Sequence, residues 1–317
     1  MNGIAYMTYR PTKITDFETM EHDSKEHQIS GLRTPLLGNS RQEVKIQVTN
    51  SFAIQFSYLS QFLQYAAKNA DRSKISRSEY VVYLGLTKRH TEALCSVAIA
   101  FNLVTPQKLT ITQIGKTITE GDPYLEYTGT LWTLHYIISS NKKWLIWNTL
   151  MNEVFPSKQQ ITSEDTKAAF DHLRERLSKS TMTKKIQREI AIVLDTYITK
   201  AFSKLAIIQK KDNTYTFHKT EHVPPEILAA ITLIFRQRYN SNASGISMEA
   251  LTRAPNSPGR ILNLEENTMR KILEQAHHKG LLYIERKADL DQIRFKEGST
   301  TETMLKMYYE GLRNETR

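Results

Sequence analysis

"ISMEALTRAPNSPGRILNLEENTMRKILEQAHHKGLLYIERKADLDQIRFKEG", running from Ile246 to Gly298, is the stretch on which the fold turns. A short helix, SMEALTRA, ends at Pro255, and the loop PNSPGR carries Arg260 between helices. LEENTMRKILEQAHHKG then sets Leu264, Met269, Ile272, Leu273 and Ala276 at helical spacing, which turns them inward. Gly280 releases a hairpin whose arms are LLYIERK and QIRFK around ADLD. Short helix, turn, longer helix, hairpin is the order of a winged helix-turn-helix, whose second helix lies in the DNA major groove. The expected polyanion contacts are Arg253, Arg260, Arg270 and Lys271, with Arg286 and Lys287 at the wing. His277 and His278 are adjacent, and adjacent helical side chains diverge by about 100°; they read as a helix-end feature.

The same grammar stands earlier, in "ISRSEYVVYLGLTKRHTEALCSVAIAFNLVTPQKLTITQIGKTI" (75–118). Ser78 is expected to cap a short helix stopping at Gly85, and Thr87 a longer one whose apolar face carries Leu94, Val97, Ala98 and Phe101. LVTPQKLTITQIG alternates like a small hairpin with Pro106 and Gln107 at its turn. Lys88, Arg89 and His90 open the second helix, where base edges would be read; the competing reading is a merely solvated helix start. Upstream, Phe52, Phe56, Leu59, Phe62 and Leu63 give a helix with Ser51 as its cap.

Between the two units lies "DPYLEYTGTLWTLHY" (122–136), rich in rings and carboxylates. Asp122 before Pro123 predicts a helix start, with the carboxylate accepting first-turn N–H groups. Gly129 would end that short helix, and Thr130 would cap a second one, TLWTLHYIISS. Asp122, Pro123, Tyr124, Glu126, Gly129, Thr130, Trp132 and His135 are therefore read as a structural motif. In the alternative, Asp122, Glu126 and His135 converge as metal ligands or as an acid–base set. The glycine between Glu126 and His135 removes any helical spacing that would guarantee their meeting. The helix WLIWNTLMNEVF follows a loop, NKK, and both apolar helices are expected to be buried as a pair.

From Ile161 to Leu205 the chain reads as helical and basic, with Ile186, Ile190, Val193, Leu194, Tyr197 and Ile198 on one stripe and Lys184, Lys185 and Arg188 off it. AIIQKKDNTYTFHK reads as a hairpin turning at Asp212-Asn213, and Pro224-Pro225 open the next helix.

The whole chain of 317 residues carries a net charge of +10. A surplus of that size favours polyanions. It is concentrated: Lys167 to Lys219 holds twelve Lys/Arg against five Asp/Glu, and Lys68 to Lys116 holds eight against three. One cysteine, Cys95, leaves no disulfide framework or multi-thiolate metal site. No apolar run has membrane-spanning length and no signal-peptide core stands at the start, so a cytoplasmic setting is expected. No phosphate loop, HExxH, nucleophile elbow or dinucleotide fingerprint occurs. The fold class expected is mainly α with small β-hairpins (α+β): two winged helix-turn-helix modules joined by a helical middle. The divisions are a flexible arm over 1–45, a first winged-helix-like domain over 46–120, a helical middle domain with a basic face over 121–222, and a second winged-helix domain with a C-terminal helix over 223–317.

"LGLTKRHTEALCSVAIAFNLV", "DPYLEYTGTLWTLHYIIS", "NSPGRILNLEENTM" and the closing "MLKMYYE" together resemble a bacterial domain-of-unknown-function family, number four thousand and seven. Members typically carry a near-identical DPYLED-GTLW-LHY core and are encoded beside genes resembling phosphoadenosine phosphosulfate reductases, in DNA phosphorothioation-type or related anti-phage islands. The resemblance implies a role in defence or DNA modification and supplies no catalytic residues. Two elements depart from it: FAIQFSYL stands where members often have a glycine–histidine element, and LTKRH where they have a glycine–lysine–asparagine turn.

The leading expectation is a non-enzymatic adaptor that binds double-stranded DNA and docks a defence-system protein, such as a reductase-like or ATPase subunit, without cofactor or membrane. A scaffold whose winged helices bind proteins competes with it. A metal-dependent nuclease using Asp122, Glu126 and His135 is the third reading.

Overall fold

The computed structural model describes residues 44–175, 177–239, 244–287 and 290–315, with backbone alone at Lys287 and Leu290. The expected arm falls outside them except for its last two residues.

Local chemistry sets many of the boundaries. Helix α1 (Phe56–Lys68) starts from Gln55, which gives no side-chain cap. The expected cap, Ser51, sits instead in a turn, where it and Asn50 take positive φ values of 74° and 47°. Helix α2 (Arg77–Leu84) is opened by Ser76 and Glu79 in a reciprocal capping box, two residues before the expected Ser78, and is closed by left-handed Gly85. Thr87 caps α3 (Lys88–Ala100), its Oγ1 accepting the His90 N–H. The hairpin expected next shrinks to one bridge between Val104 and Ile111. The reason is local: Thr112 accepts from the Gly115 N–H and starts α4 (Gln113–Gly121), so the second arm becomes helix.

Helix α5 (Thr128–Ser139) is buried at every residue from Gly129 onward. Helix α6 (Leu145–Thr149) runs through a π-helical turn (Leu150–Val154) into α7 (Phe155–Ser157). Strand β1 (Gln160–Thr162) stands where a helix was expected, since its central Ile161 is buried and pairs with Tyr215. Thr162 then forms a capping box with Asp165 for α8 (Ser163–Ala168). A second π-helical turn (Thr181–Ile186) leads into α9 (Gln187–Ile198). Strands β2 (Ile208–Lys211) and β3 (Thr214–Phe217) form the expected hairpin, with left-handed Asp212 in its turn, and β1 adds to give the antiparallel order β1-β3-β2.

Helix α10 (Pro225–Tyr239) is buried from Glu226 to Phe235. Next come β4 (Ile246–Ser247) and α11 (Met248–Arg253). PNSPGR is not wholly loop: Ser257 caps a further short helix, α12 (Pro258–Leu262), which includes Arg260. Then follow α13 (Glu266–His278), β5 (Tyr283–Lys287) and β6 (Leu290–Arg294), and β6 pairs with both β4 and β5. Helix α14 (Thr301–Glu315) closes the described chain and packs on α10 and α4. The fold is thus mainly helical with two small antiparallel sheets. Among the described residues no helix is long and apolar enough to cross a membrane.

Candidate nucleic-acid interface

Glu189 on α9 is fully buried and accepts from the Val48 N–H at 2.9 Å, the Thr49 N–H at 3.2 Å and the Thr49 hydroxyl at 2.9 Å. Burial pushes its pKa up, and these three donors pull it back. The bonds tie the segment before α1 to α9, and Arg188 adds a long bond to the Ser51 carbonyl at 3.4 Å. Gln47, Asn50 and Ser51 consequently wall one side of an open groove of about 1280 Å³. The start of α3 supplies Lys88 and Arg89, and the second π-helical turn with α9 supplies Lys184, Lys185 and Arg188. Glu92 is the one carboxylate among the lining residues. Five of the twelve expected polyanion contacts thus meet in one place, from two segments far apart in sequence. Lys88, Arg89, Lys184 and Arg188 have no carboxylate partner among the described residues. Serine, threonine, asparagine and glutamine fill the rest of the lining, side chains that commonly contact phosphate and sugar.

His90 is placed otherwise. It stacks on Phe52 with ring centroids 4.4 Å apart and meets Tyr58 edge-on, and burial lowers its pKa. The Arg89 guanidinium lies 5.8 Å from the centre of the same Phe52 ring. The stack steadies the groove's rim and takes His90 out of the cationic set at neutral pH.

The cations of the C-terminal unit are more scattered. Arg270, only 26% exposed, is engaged by Asp291 at 2.6 Å and by Glu266 at 3.5 Å. Asp291 and Glu266 in turn hold its pKa above the usual arginine value. Arg286 is paired with Glu274. These pairs clamp β5 and β6 onto α13 and leave both arginines less available to phosphate. Lys271 and Arg253 are exposed, Arg260 is half-buried, and the side chain of Lys287 lies outside the described residues.

The ring-rich motif is bound into the fold by contacts that differ from those expected. Asp122 follows the end of α4; its Oδ1 accepts from the Glu126 N–H and its Oδ2 from the Tyr127 N–H, both at 2.9 Å. Residues 122–127 form turns, not a helix, with Leu125 at φ 59°. Pro123 accepts from the Ser60 hydroxyl through its carbonyl, while Tyr124 and Glu126 are exposed. Gly129 ends nothing: it lies in the first turn of α5, where a Cβ would sit 2.5 Å from the Tyr308 ring. Thr130 caps nothing either, because its hydroxyl bonds the Tyr309 hydroxyl at 2.8 Å inside the core. His135 is fully buried beside Trp132; its Nδ1 lies 2.5 Å from the Tyr197 hydroxyl and its Nε2 3.1 Å from the Ile261 carbonyl. With the carbonyl accepting, Nε2 carries the proton and the tyrosine donates to Nδ1. Both oxygens of Asp122 and both nitrogens of His135 are thus occupied within the protein, and among the described residues no three His, Cys, Asp or Glu side chains form a metal-holding group.

Sequence reasoning reached Lys88 and Arg89 from their place at a helix start, and Lys184, Lys185 and Arg188 from a basic stretch. It missed Glu189, which looked like one carboxylate in a basic run, and the 47–51 segment, whose polar residues carry no periodic signal.

A family model described as "Protein of unknown function (DUF4007)" matches residues 49–309. Two solved structures are similar in fold, a magnesium ion-bound SspB crystal structure and a further SspB crystal structure. Each is 19% identical to this chain, covers 84% of it and 88% of its own length, and superposes with a TM-score of 0.67. No curated protein matches.

Proposed function

The chain belongs to the family described as protein of unknown function (DUF4007), and on that footing we propose that it is a non-catalytic subunit which binds double-stranded DNA and docks a partner protein onto it. The observation that carries this reading is the groove in which Lys88, Arg89, Lys184, Lys185 and Arg188 converge. A wall of cations on two sides, with neutral polar groups between, suits a phosphate backbone better than an acidic small molecule, because each neutralised phosphate releases condensed counterions. In this reading β4, α11, α12, α13 and the β5–β6 hairpin make a winged helix with α13 as its recognition helix. Helices α2 and α3, with the short Val104–Ile111 bridge, make an abbreviated one, in which α3 points Lys88 and Arg89 into the groove. Lys271, Arg253 and Arg260 are the remaining contacts of the second module. A setting in bacterial DNA modification or anti-phage defence rests on the resemblance of the DPYLEYTGTLW and NSPGRILN motifs to proteins encoded in such islands. The partner, a reductase-like or ATPase subunit in that setting, would meet the protein away from the groove.

The test is fluorescence anisotropy of a labelled duplex at increasing salt. If all five cations reach phosphates, log affinity against log salt falls with a slope of about −4 to −5. Lys184→Ala with Arg188→Ala flattens that slope by about two and leaves the fold intact, since both side chains are exposed. Absence of binding to any duplex at low salt would overturn the reading in favour of a protein-binding scaffold. Strand cleavage in Mg²⁺ or Mn²⁺ would overturn the non-catalytic part alone.

A further inference from the structure

The segment from Lys179 to Arg188 is a ridge with two sides. Ser180, Lys184 and Arg188 face the main groove, while Lys179, Met182 and Ile186 line a second hollow of about 280 Å³. Thr183 and Gln187 stand on the crest and line both. The spacing explains the division: side chains four apart share a helical face, so each row looks into its own basin. The two basins differ in chemistry. Leu177, Met182 and Ile186 give the hollow an apolar floor, and Lys167, Arg174 and Lys179 stand on its rim. The single acid in the lining, Asp171, is bonded to the Arg174 Nε at 2.8 Å.

A fully paired duplex offers such a hollow only phosphates, and an apolar floor gains nothing from a phosphate. A base swung out of the stack offers apolar faces to the floor and a phosphate on each side to the rim. Arginine planes and methionine sulfur both make favourable contacts with flat aromatic systems. The volume lies at the lower edge of the roughly 300–1,000 Å³ typical of small-molecule pockets, which suits one base and not a longer strand. We infer that this hollow receives one unpaired nucleobase of the DNA lying in the main groove, the crest of Thr183 and Gln187 being where the strand crosses over. The inference rests on the DNA-binding reading above and adds to it the kind of DNA preferred.

The full chain is titrated with a paired duplex and with the same duplex carrying one extra, unpaired 2-aminopurine nucleotide. The bulged duplex binds roughly tenfold more tightly, the low end of what stacking a single base supplies, and the probe's fluorescence changes on binding. Met182→Trp fills the hollow and abolishes the preference while leaving affinity for the paired duplex unchanged. Lys167→Ala with Lys179→Ala, which spares the apolar floor, reduces the preference in parallel and guards against misfolding of the tryptophan variant. Equal affinity for the two duplexes, or a preference that survives Met182→Trp in a variant that melts normally, overturns the inference and leaves the DNA-binding reading standing. Failure of both duplexes to bind overturns both.

Discussion

Burial holds the His135 imidazole neutral: desolvation pushes its pKa down to about 4, with the Ile261 carbonyl pulling weakly the other way. In the unfolded chain the same ring titrates near 6.5, so between about pH 6.5 and 4 the unfolded state binds the extra proton. Stability contributed by the neutral ring is therefore full above pH 6.5 and is lost as the pH falls towards 4, by on the order of 3 kcal/mol at most. Glu189 works in the opposite sense, because its raised pKa favours the native state at low pH and that contribution fades as the pH rises through the native value. Comparing urea midpoints of wild type and His135→Gln across this window isolates the histidine. The variant should lose less stability on acidification, and identical pH profiles would show that His135 is not a buried neutral group. The ring's role was half legible in the sequence. Gly129 argued against a meeting of Glu126 and His135, but nothing local pointed to Tyr197 and Ile261, which reach His135 only through the packing of α9 and α12 on α5.

The elements show the same divide between local and distant causes. Ser76, Gly85, Thr87, Pro225 and Gly280 act on backbone within a few residues, and each marks a helix or turn boundary, or lies within two residues of one expected. Gly129 is different, because what it makes room for is Tyr308 on α14, whose hydroxyl accepts from the Gly129 N–H at 3.1 Å. Gly121 likewise faces Tyr309, with 2.0 Å between a notional Cβ and that ring. Gly129 reads as local punctuation until α14 is in place. Gly129→Ala is consequently expected to destabilise the protein by about 1–3 kcal/mol through overpacking, although alanine is the better helix former. Ala at a freely exposed helical site would instead stabilise by up to about 1 kcal/mol. Thermal melting decides: an unchanged or raised midpoint would mean that α14 does not press on α5 as described. The first hairpin failed as an expectation because Thr112 gives LTITQIG a helix cap, and that competing signal outweighs a short alternation.

At the scale of the molecule, the candidate interface was legible as charge but not as a place. Lys88 and Arg89 stood out at a helix start and Lys184, Lys185 and Arg188 in a basic stretch, whereas the groove in which they meet is walled by the 47–51 segment, whose Val48–Thr49 backbone Glu189 holds. The boundaries expected from the order of helices and hairpins face a similar test. Asn256, buried and left-handed at φ 64°, donates its N–H to Asn152 at 2.7 Å, receives the Asn148 amide at 2.6 Å and accepts the Tyr136 hydroxyl at 3.0 Å. This knot joins the loop between α11 and α12 to α5 and to the π-helical turn after α6, while α14 reaches back to α4. Among the described residues, polar locks and apolar packing thus tie the C-terminal part to the middle and to the start of the chain. Urea unfolding should then be a single transition. All three tryptophans lie between Trp132 and Trp147, so their fluorescence follows the middle of the chain while far-ultraviolet circular dichroism follows every helix. The two probes should give coincident curves, and Asn152→Ala, which strands the buried Asn256 N–H, should shift both together by about 1–3 kcal/mol. Two separated midpoints would mean that the C-terminal unit unfolds on its own and that the asparagine knot contributes little to holding it.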